Sequence, residues 1–235
     1  MWCGPRNIST AMLRAWENRP DTFVVDEPLY AFYLQATGAD HPLREEIIAR
    51  YDPDWRSVTR RLTTAVQPGK TVFYQKQMSH HLLPEVGRAW LGNVTNCFLI
   101  REPREMLASY LRKMPRPHFD DTGYPQLREI YRYVRTIQSE IPPVLDTRDV
   151  LDNPRRLLGL LCSRLGLPFY DEMLQWAPGQ RASDGIWASH WYPEVLASTS
   201  FLPYRPRHDT LAEDDNDLLR QCREVYDELY QVRLQ

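Results

Sequence analysis

Short apolar runs alternate with helical patterns along most of this 235-residue chain, and this alternation is what most constrains its fold. Runs typical of strands lie near Phe23–Asp26, Thr71–Gln75, Cys97–Ile100 and Pro143–Asp146. Strands separated by helices pair in parallel, and the helices then cover both faces of the sheet. The sequence therefore predicts a three-layer α/β fold, a parallel sheet flanked by helices, as a single domain over residues 1–235.

Helices are predicted between these strands from apolar spacing and from the proline and glycine residues at their ends. Pro154, for example, opens a helical pattern that Gly166 ends. Residues 178–210, rich in tryptophan and proline, are predicted to form a long loop. The predicted helices are a segment from about Ser9, Pro42–Tyr51, Trp55–Val66, Leu82–Leu91, Pro103 to about Lys113, Tyr124–Ser139, Pro154–Leu165 and Ala212–Val232.

Composition narrows the classes of function. A formal net charge of −2 gives no bulk attraction for nucleic acid or an anionic membrane. The cysteines lack the paired spacing of a zinc site or a redox dithiol. No apolar run approaches the length of a membrane span, and the start lacks the apolar core of a signal peptide. We therefore expect a cytoplasmic protein without a metal site. The cysteines are Cys3, Cys97, Cys162 and Cys222.

Residues 99–111, LIREPREMLASYL, place a cation and a hydroxyl where a strand meets a helix. The apolar run ends at Arg101, Pro103 opens the helix, and Ser109 lies two turns along it. An arginine can fork around a phosphate, and the helix brings the serine over the same pocket. A proline at the first helical position beside a solvated arginine would give the same residues. This segment alone therefore does not decide the function.

Residues 3–10, CGPRNIST, form a second candidate phosphate site. Gly4 and Pro5 set a turn, and small polar residues follow at a predicted helix N-terminus, where free N–H groups favour an anion. Arg6 supplies the charge that a lysine supplies in a P-loop. The pattern G-x-x-x-x-G-K-[ST] is absent, so a metal-dependent ATPase or GTPase is not well supported, and a small-molecule kinase is disfavoured for the same reason. The polar residues are Asn7, Ser9 and Thr10.

Together the two segments resemble the motifs of the sulfotransferase superfamily, and in particular bacterial-type sulfotransferase-like proteins with a P-loop fold. The family's first motif, Pro-Lys-Ser-Gly-Thr-Thr, binds a 5′-phosphosulfate and aligns with residues 5–10, PRNIST. Its second, Arg-x-Pro with a later serine, binds a 3′-phosphate. A third, a basic residue followed by Gly-x-Trp, resembles residues 181–187. The resemblance implies a nucleotide site made of Pro5, Arg6, Asn7, Ser9, Thr10, Arg101, Ser109, Arg181, Gly185 and Trp187.

The resemblance also implies a reaction. The cosubstrate would be 3′-phosphoadenosine 5′-phosphosulfate (PAPS), and the product would be adenosine 3′,5′-bisphosphate. The sulfuryl group would go to a hydroxyl of a small or lipid-like acceptor, with no metal and no nucleic acid involved. Arg6, in the first motif, would also serve the transfer by its charge.

Two residue types compete for the role of general base. Glu27 follows the strand Phe23–Asp26 and lies 21 residues after Arg6, as the base does in Golgi-type and some bacterial sulfotransferases. Asp26 is expected to point the other way if the strand pleat continues. The alternative is His80 or His81, since a neutral imidazole suits general-base work; an acceptor-binding role is equally open.

Lys76 occupies the lysine position of the family's Lys-x-His segment, although Met78 stands where the histidine would be. It ends a largely apolar strand, where an unpaired ammonium is costly, so we expect it to meet the sulfuryl group or Glu27. Only two residues precede Cys3, so either the first strand is truncated or the chain start is late. That short strand, Ile8 in place of a family glycine and the missing Lys-x-His leave one alternative open: a nucleotide- or partner-binding protein that has lost turnover.

Overall fold

The structure, a computed structural model, describes residues 1–114, 116–206 and 211–235. A parallel five-stranded sheet lies at its centre, with the strand order β2-β3-β1-β4-β5. This confirms the predicted α/β fold with a parallel sheet flanked by helices. The strands are β1 (Trp2–Cys3), β2 (Thr22–Asp26), β3 (Val72–Met78), β4 (Phe98–Ile100) and β5 (Val144–Asp146).

The central strands are short apolar runs because both of their faces are buried. Trp2, Phe98 and Val144 pack into one core, whereas Cys3 and Leu99 pack into the core on the opposite face. Successive side chains of a strand point to opposite faces, and so each of these strands contributes to both cores.

The helices form the two outer layers of the fold. Residues of α1 and α8 pack on the core that contains Cys3, and residues of α4, α5, α6 and α11 pack on the core that contains Trp2. Within the described ranges, no helix is long and apolar enough to cross a membrane. The helices are α1 (Ser9–Glu17), α2 (Tyr30–Thr37), α3 (Arg44–Arg50), α4 (Trp55–Thr64), α5 (Pro103–Tyr110), α6 (Tyr124–Ile137), α7 (Thr147–Asp152), α8 (Pro154–Arg164), α9 (Ala188–Trp191), α10 (Pro193–Leu196) and α11 (Asn216–Tyr230).

The predicted helix over Leu82–Leu91 is wrong. The chain forms 3₁₀ turns at Ser79–His81 and Ala89–Asn93 instead, because Pro84 and Gly87 between them oppose a continuous helix. The predicted loop over residues 178–210 contains the short helices α9 and α10, and its residues 207–210 lie outside the described part of the chain.

The first strand has two residues, and both pair with strands on either side. Trp2 lies opposite Gln77 of β3 and Phe98 of β4, and Cys3 lies opposite Met78 and Leu99. The chain leaves β1 toward β2 on one side of the sheet and later forms β4 on the other. The carboxyl end of β1 is therefore the switch point of the sheet, where ligands bind in folds of this kind.

Candidate active site

The loop between β1 and α1 turns sharply at the switch point. A Cβ on Gly4 would come within 2.6 Å of the carbonyl oxygen of Thr122, so this position requires glycine. Arg6 has a φ of 57°, a left-handed conformation that non-glycine residues rarely adopt. Helix α1 then starts at Ser9, directly after the loop.

The loop and the Arg101 segment, 95 positions apart, come together. Arg101 Nη1 donates a hydrogen bond to the carbonyl oxygen of Arg6 at 2.7 Å, and Arg6 Nε donates to Ser109 Oγ at 2.9 Å. Arg101 Nε and Asn7 Oδ1 are buried and have no hydrogen-bond partner among the described residues. Buried polar atoms without partners are rare. The Arg101 N–H is a charged donor that suits an anion, whereas Asn7 Oδ1 is an acceptor and suits a donor group of a ligand.

A buried ion cluster lies at the carboxyl ends of β2 and β3. Lys76 Nζ is 2.7 Å from Glu27 Oε1 and 2.9 Å from Asp26 Oδ1, and the lysine is 1% exposed. Asp26 therefore points to the same lysine as Glu27. The prediction from the strand pleat, that the two side chains point in opposite directions, is wrong. The strand ends at Asp26, and the φ of 43° at Glu27 turns its carboxylate toward the same lysine.

Tyr192, at the junction of α9 and α10, completes this cluster, and no sequence pattern predicts this role. Its Oη lies 2.9 Å from Glu27 Oε1 and 2.9 Å from Asp26 Oδ2. The Trp187 indole N–H donates to the same oxygen at 2.9 Å, and Lys76 also donates to it. A phenol in an aromatic-rich segment is an ordinary core residue, so only the fold distinguishes this one.

The cluster shifts the proton affinities of its members. Burial and the neighbouring Asp26 raise the pKa of Glu27, although Lys76 and Tyr192 oppose the shift. Burial alone would lower the pKa of Lys76, but the two carboxylates raise it. Two acidic groups share one ammonium, so the lysine stays charged and Glu27 binds a proton more readily than an ordinary glutamate.

His80 and His81 lie together in the 3₁₀ turn that follows β3. Both are buried, and burial followed by the charge of His41 lowers the pKa of His80 to about 3. Burial also lowers the pKa of His81 well below its usual value. The His81 ring stacks on Tyr30 with their centroids 4.7 Å apart. These histidines are therefore neutral and form part of an aromatic wall.

The third predicted motif lies behind the ion cluster. Arg181 donates to Glu17 Oε2 at 2.8 Å and to Asn18 Oδ1 at 2.9 Å. The Gly185 N–H donates to Asp26 Oδ2 at 3.4 Å, and Trp187 bonds to Tyr192. Within the described chain, the structure does not bring Arg181, Gly185 or Trp187 to the cavity that the other predicted residues line.

One cavity of about 660 Å³ connects these parts. The loop after β1 lines it beside Arg101 and Ser109, and so do the ion cluster and the histidines. A wall with fixed cations at one place and a carboxylate of raised pKa at another can hold an anionic group and accept a proton from a second molecule. The predicted residues on this wall are Pro5, Arg6, Asn7, Ser9, Thr10, Glu27, Lys76, His80, His81, Arg101 and Ser109.

Comparison with known proteins identifies the class to which this fold and site belong. Residues 1–232 match the family model described as "Sulfotransferase domain", so the chain belongs to the sulfotransferase family. Among solved structures it is similar to the sulfotransferase domain from the Synechococcus PCC 7002 olefin synthase, with a TM-score of 0.55 and 15% identity. That alignment covers 94% of this chain and 92% of the other, and at this identity it shows the fold alone.

Two curated relatives come from Arabidopsis thaliana. They are named branched-chain-amino-acid aminotransferase-like proteins 1 and 2, and they are 33% and 31% identical to this chain over 226 and 227 residues. Each alignment covers 96% of this chain but 40% of the relative. The chain therefore spans about two-fifths of the length of these relatives, and their names describe the longer proteins.

Proposed function

We propose that this sulfotransferase-family chain transfers a sulfuryl group from PAPS to a hydroxyl of a small or lipid-like acceptor. The observation that carries the proposal is the shared cavity of about 660 Å³, which joins the Arg6–Arg101–Ser109 cluster to the Glu27–Lys76 pair. The donor and its acceptor must meet in one space, and this wall offers anion-binding groups and a carboxylate within it.

The residues around the loop fit the two phosphate-bearing ends of such a nucleotide. Arg101 and Ser109 would hold the 3′-phosphate, and the unpartnered Arg101 Nε has its N–H available for it. Arg6 and the start of α1 would hold the 5′-phosphosulfate, since helix N-termini favour anions. Asn7, Ser9 and Thr10 would add hydrogen bonds from their short side chains.

Glu27 is the residue we propose as the general base. Its carboxylate would take the proton of the acceptor hydroxyl as the acceptor oxygen bonds to sulfur. The bond between sulfur and the 5′-phosphate oxygen breaks, and adenosine 3′,5′-bisphosphate leaves with the electron pair. Arg6 would stabilise the charge that develops on the transferring group, and Lys76 would hold the Glu27 carboxylate in place. Neutral His80 and His81 would form part of the wall against which the acceptor binds.

All four cysteines are buried and unpaired, which supports a reducing compartment such as the cytoplasm.

Calorimetry with adenosine 3′,5′-bisphosphate, followed by transfer of labelled sulfate from PAPS to a panel of phenols and alcohols, tests the proposal. We expect saturable binding of the bisphosphate and labelled product from at least one acceptor. Binding without transfer to any acceptor would favour the alternative, a nucleotide-binding protein that has lost turnover. If the bisphosphate does not bind at saturating concentration, the proposal is wrong.

A further inference from the structure

The Tyr192 hydroxyl contacts five polar atoms, which belong to four side chains around the proposed base. Oη is 2.9 Å from Glu27 Oε1 and lies 3.1 and 2.9 Å from the two oxygens of Asp26. It also accepts from Trp187 Nε1 and from Lys76 Nζ. A phenol has one proton to donate, so it bonds to only one of the two carboxylates at a time.

Glu27 has few hydrogen-bond donors around it, so the Tyr192 hydroxyl matters for its position. The three N–H groups of Lys76 are used by Asp26, Glu27 and Tyr192. Both hydrogen bonds of the Glu27 carboxylate end on Oε1, and within the described chain none ends on Oε2. The phenol and the ammonium therefore fix one oxygen of the carboxylate, while its side chain lines the cavity.

The segment that carries Tyr192 is itself firmly attached. The buried carboxylate of Asp184 forms two hydrogen bonds with Arg14 on α1, at 2.6 and 2.7 Å. Trp187 is 1% exposed and lies edge-on against Tyr30, with their ring centroids 5.1 Å apart. Because the segment is docked at several points, it can hold the phenol at a fixed position relative to β2 and β3.

From this geometry we infer that Tyr192 is a positioning residue, which locks Oε1 of Glu27 against Lys76 so that Oε2 meets the acceptor hydroxyl. The inference rests on the proposed function and deepens it. When Glu27 takes up a proton, the phenol is placed to donate to Asp26 Oδ2 instead, at the same distance of 2.9 Å. The segment around Gly185 and Trp187 then supports the base through its hydrogen bonds to Asp26 and Tyr192.

Titration of Glu27 by carbon NMR tests this inference without a turnover assay. In protein labelled at glutamate carboxyls, the Glu27 signal is identified by its absence in Glu27→Gln. Tyr192→Phe removes a hydrogen bond that favours the charged carboxylate, so we expect the midpoint to move up by about one pH unit. Groups that face Glu27 from every neighbouring element are unchanged in this variant: Asp26, Lys76, Tyr30 and Cys3.

Tyr51→Phe is the matched control. The Tyr51 hydroxyl accepts from the Ile186 N–H at 3.1 Å, and its ring lies 5.1 Å from Trp187, but it does not contact the carboxylates. If the Tyr192 effect came from loosening the segment, this variant would produce the same shift; we expect the wild-type midpoint. Should Tyr192→Phe fail to fold, 3-fluorotyrosine at position 192, a stronger donor, should lower the midpoint.

Two outcomes overturn the inference: an unchanged midpoint in the position-192 variants, or an equal shift in Tyr51→Phe. An unchanged midpoint in protein that still binds adenosine 3′,5′-bisphosphate rejects the role of Tyr192 and leaves the proposed function standing. A shifted midpoint in protein that does not bind the bisphosphate rejects the proposed function and supports the hydrogen-bond assignment.

Discussion

At the scale of single residues, the site contains two strained positions. Arg6 and Glu27 have φ values of 57° and 43°, and the other non-glycine residues with positive φ in the described chain are Leu43 and Arg116. Such a conformation costs roughly 1–3 kcal/mol, which the surrounding contacts must offset. The left-handed backbone conformation directs the Arg6 side chain toward Ser109 and the Glu27 carboxylate toward Lys76. Both groups therefore lie on the cavity wall.

Arg101→Ala should lower the affinity for adenosine 3′,5′-bisphosphate by about 10- to 100-fold. This is the loss expected when one hydrogen-bonded ion contact of roughly 1–3 kcal/mol is removed. The affinity for adenosine 5′-monophosphate should fall less, because this ligand lacks the 3′-phosphate. Its binding is affected only because the Arg6 carbonyl oxygen loses its hydrogen bond from Arg101. Calorimetry with both ligands measures the difference. Arg104→Ala, exposed on the same helix, is the control. Equal losses for the two ligands would contradict the assignment.

Glu27→Gln keeps the shape of the side chain but cannot accept a proton. We expect turnover to fall on the order of 10²- to 10⁴-fold with nucleotide affinity nearly unchanged. The fold should persist because Asp26 still pairs with Lys76 at 2.9 Å. Single-turnover transfer from PAPS measures the rate, and Glu172→Gln, an exposed carboxylate, is the control. Full activity in Glu27→Gln, with activity lost in His80→Ala, would make histidine the base.

At the scale of elements, the segment over residues 181–192 connects α1 to the carboxyl ends of β2 and β3. Arg14 and Asp184 join it to α1, and both side chains are almost completely buried. At the other end, Tyr192 joins the ion cluster. The family resemblance implied that Arg181, Gly185 and Trp187 contact the nucleotide, and this contact stays a prediction. In the structure their hydrogen bonds go to Glu17, Asn18, Asp26 and Tyr192.

Asp184→Asn should destabilise the protein by about 3–5 kcal/mol, because it leaves the buried Arg14 guanidinium with only the more distant Glu17 carboxylate, at 3.8 Å, as counter-charge. Urea unfolding at neutral pH measures the loss. Asp171→Asn breaks a pair with Arg155 whose side chains are 71% and 60% exposed, and it should cost about 0–1 kcal/mol. Comparable losses in the two variants would mean that burial of the Arg14 pair adds nothing.

At the scale of the whole molecule, stability depends on pH through buried histidines that must stay neutral. The pKa of His80 is about 3 in the folded protein, against 6.5 for an ordinary histidine. Between these values the unfolded chain binds more protons, so the contribution of His80 to stability is present above pH 6.5 and is lost as the pH falls. Raised acid pKa values, that of Asp146 at about 6 among them, act in the opposite direction.

His80→Gln isolates this contribution. Between pH 7 and pH 5 we expect wild-type protein to lose about 2 kcal/mol more stability than the variant does, from 1.36 kcal/mol per pH unit below 6.5. Urea unfolding at the two pH values gives the difference. His190→Gln, at an exposed position, should follow the wild type. If wild type and His80→Gln show the same pH dependence, His80 is not held neutral by the fold.

Local pattern was enough to predict the parallel sheet and the two segments that meet beside Arg6 and Arg101. Residues close in sequence share a strand end or a helix start, and parallel strands bring their carboxyl ends to one edge. The family model confirmed the sulfotransferase resemblance that these segments carried. The roles of Glu27 and of the other site residues stay predictions, because binding and turnover decide them.

Tertiary packing alone decided the rest. Tyr192 reaches Asp26 across 166 positions, and nothing in the neighbours of either residue encodes that contact. Asp26 shares Lys76 with Glu27 because the backbone turns at the strand end, and Arg181 pairs with Glu17 because its segment docks on α1. Sequence patterns report which faces are buried, whereas the partner of a buried polar group depends on which elements pack together in space.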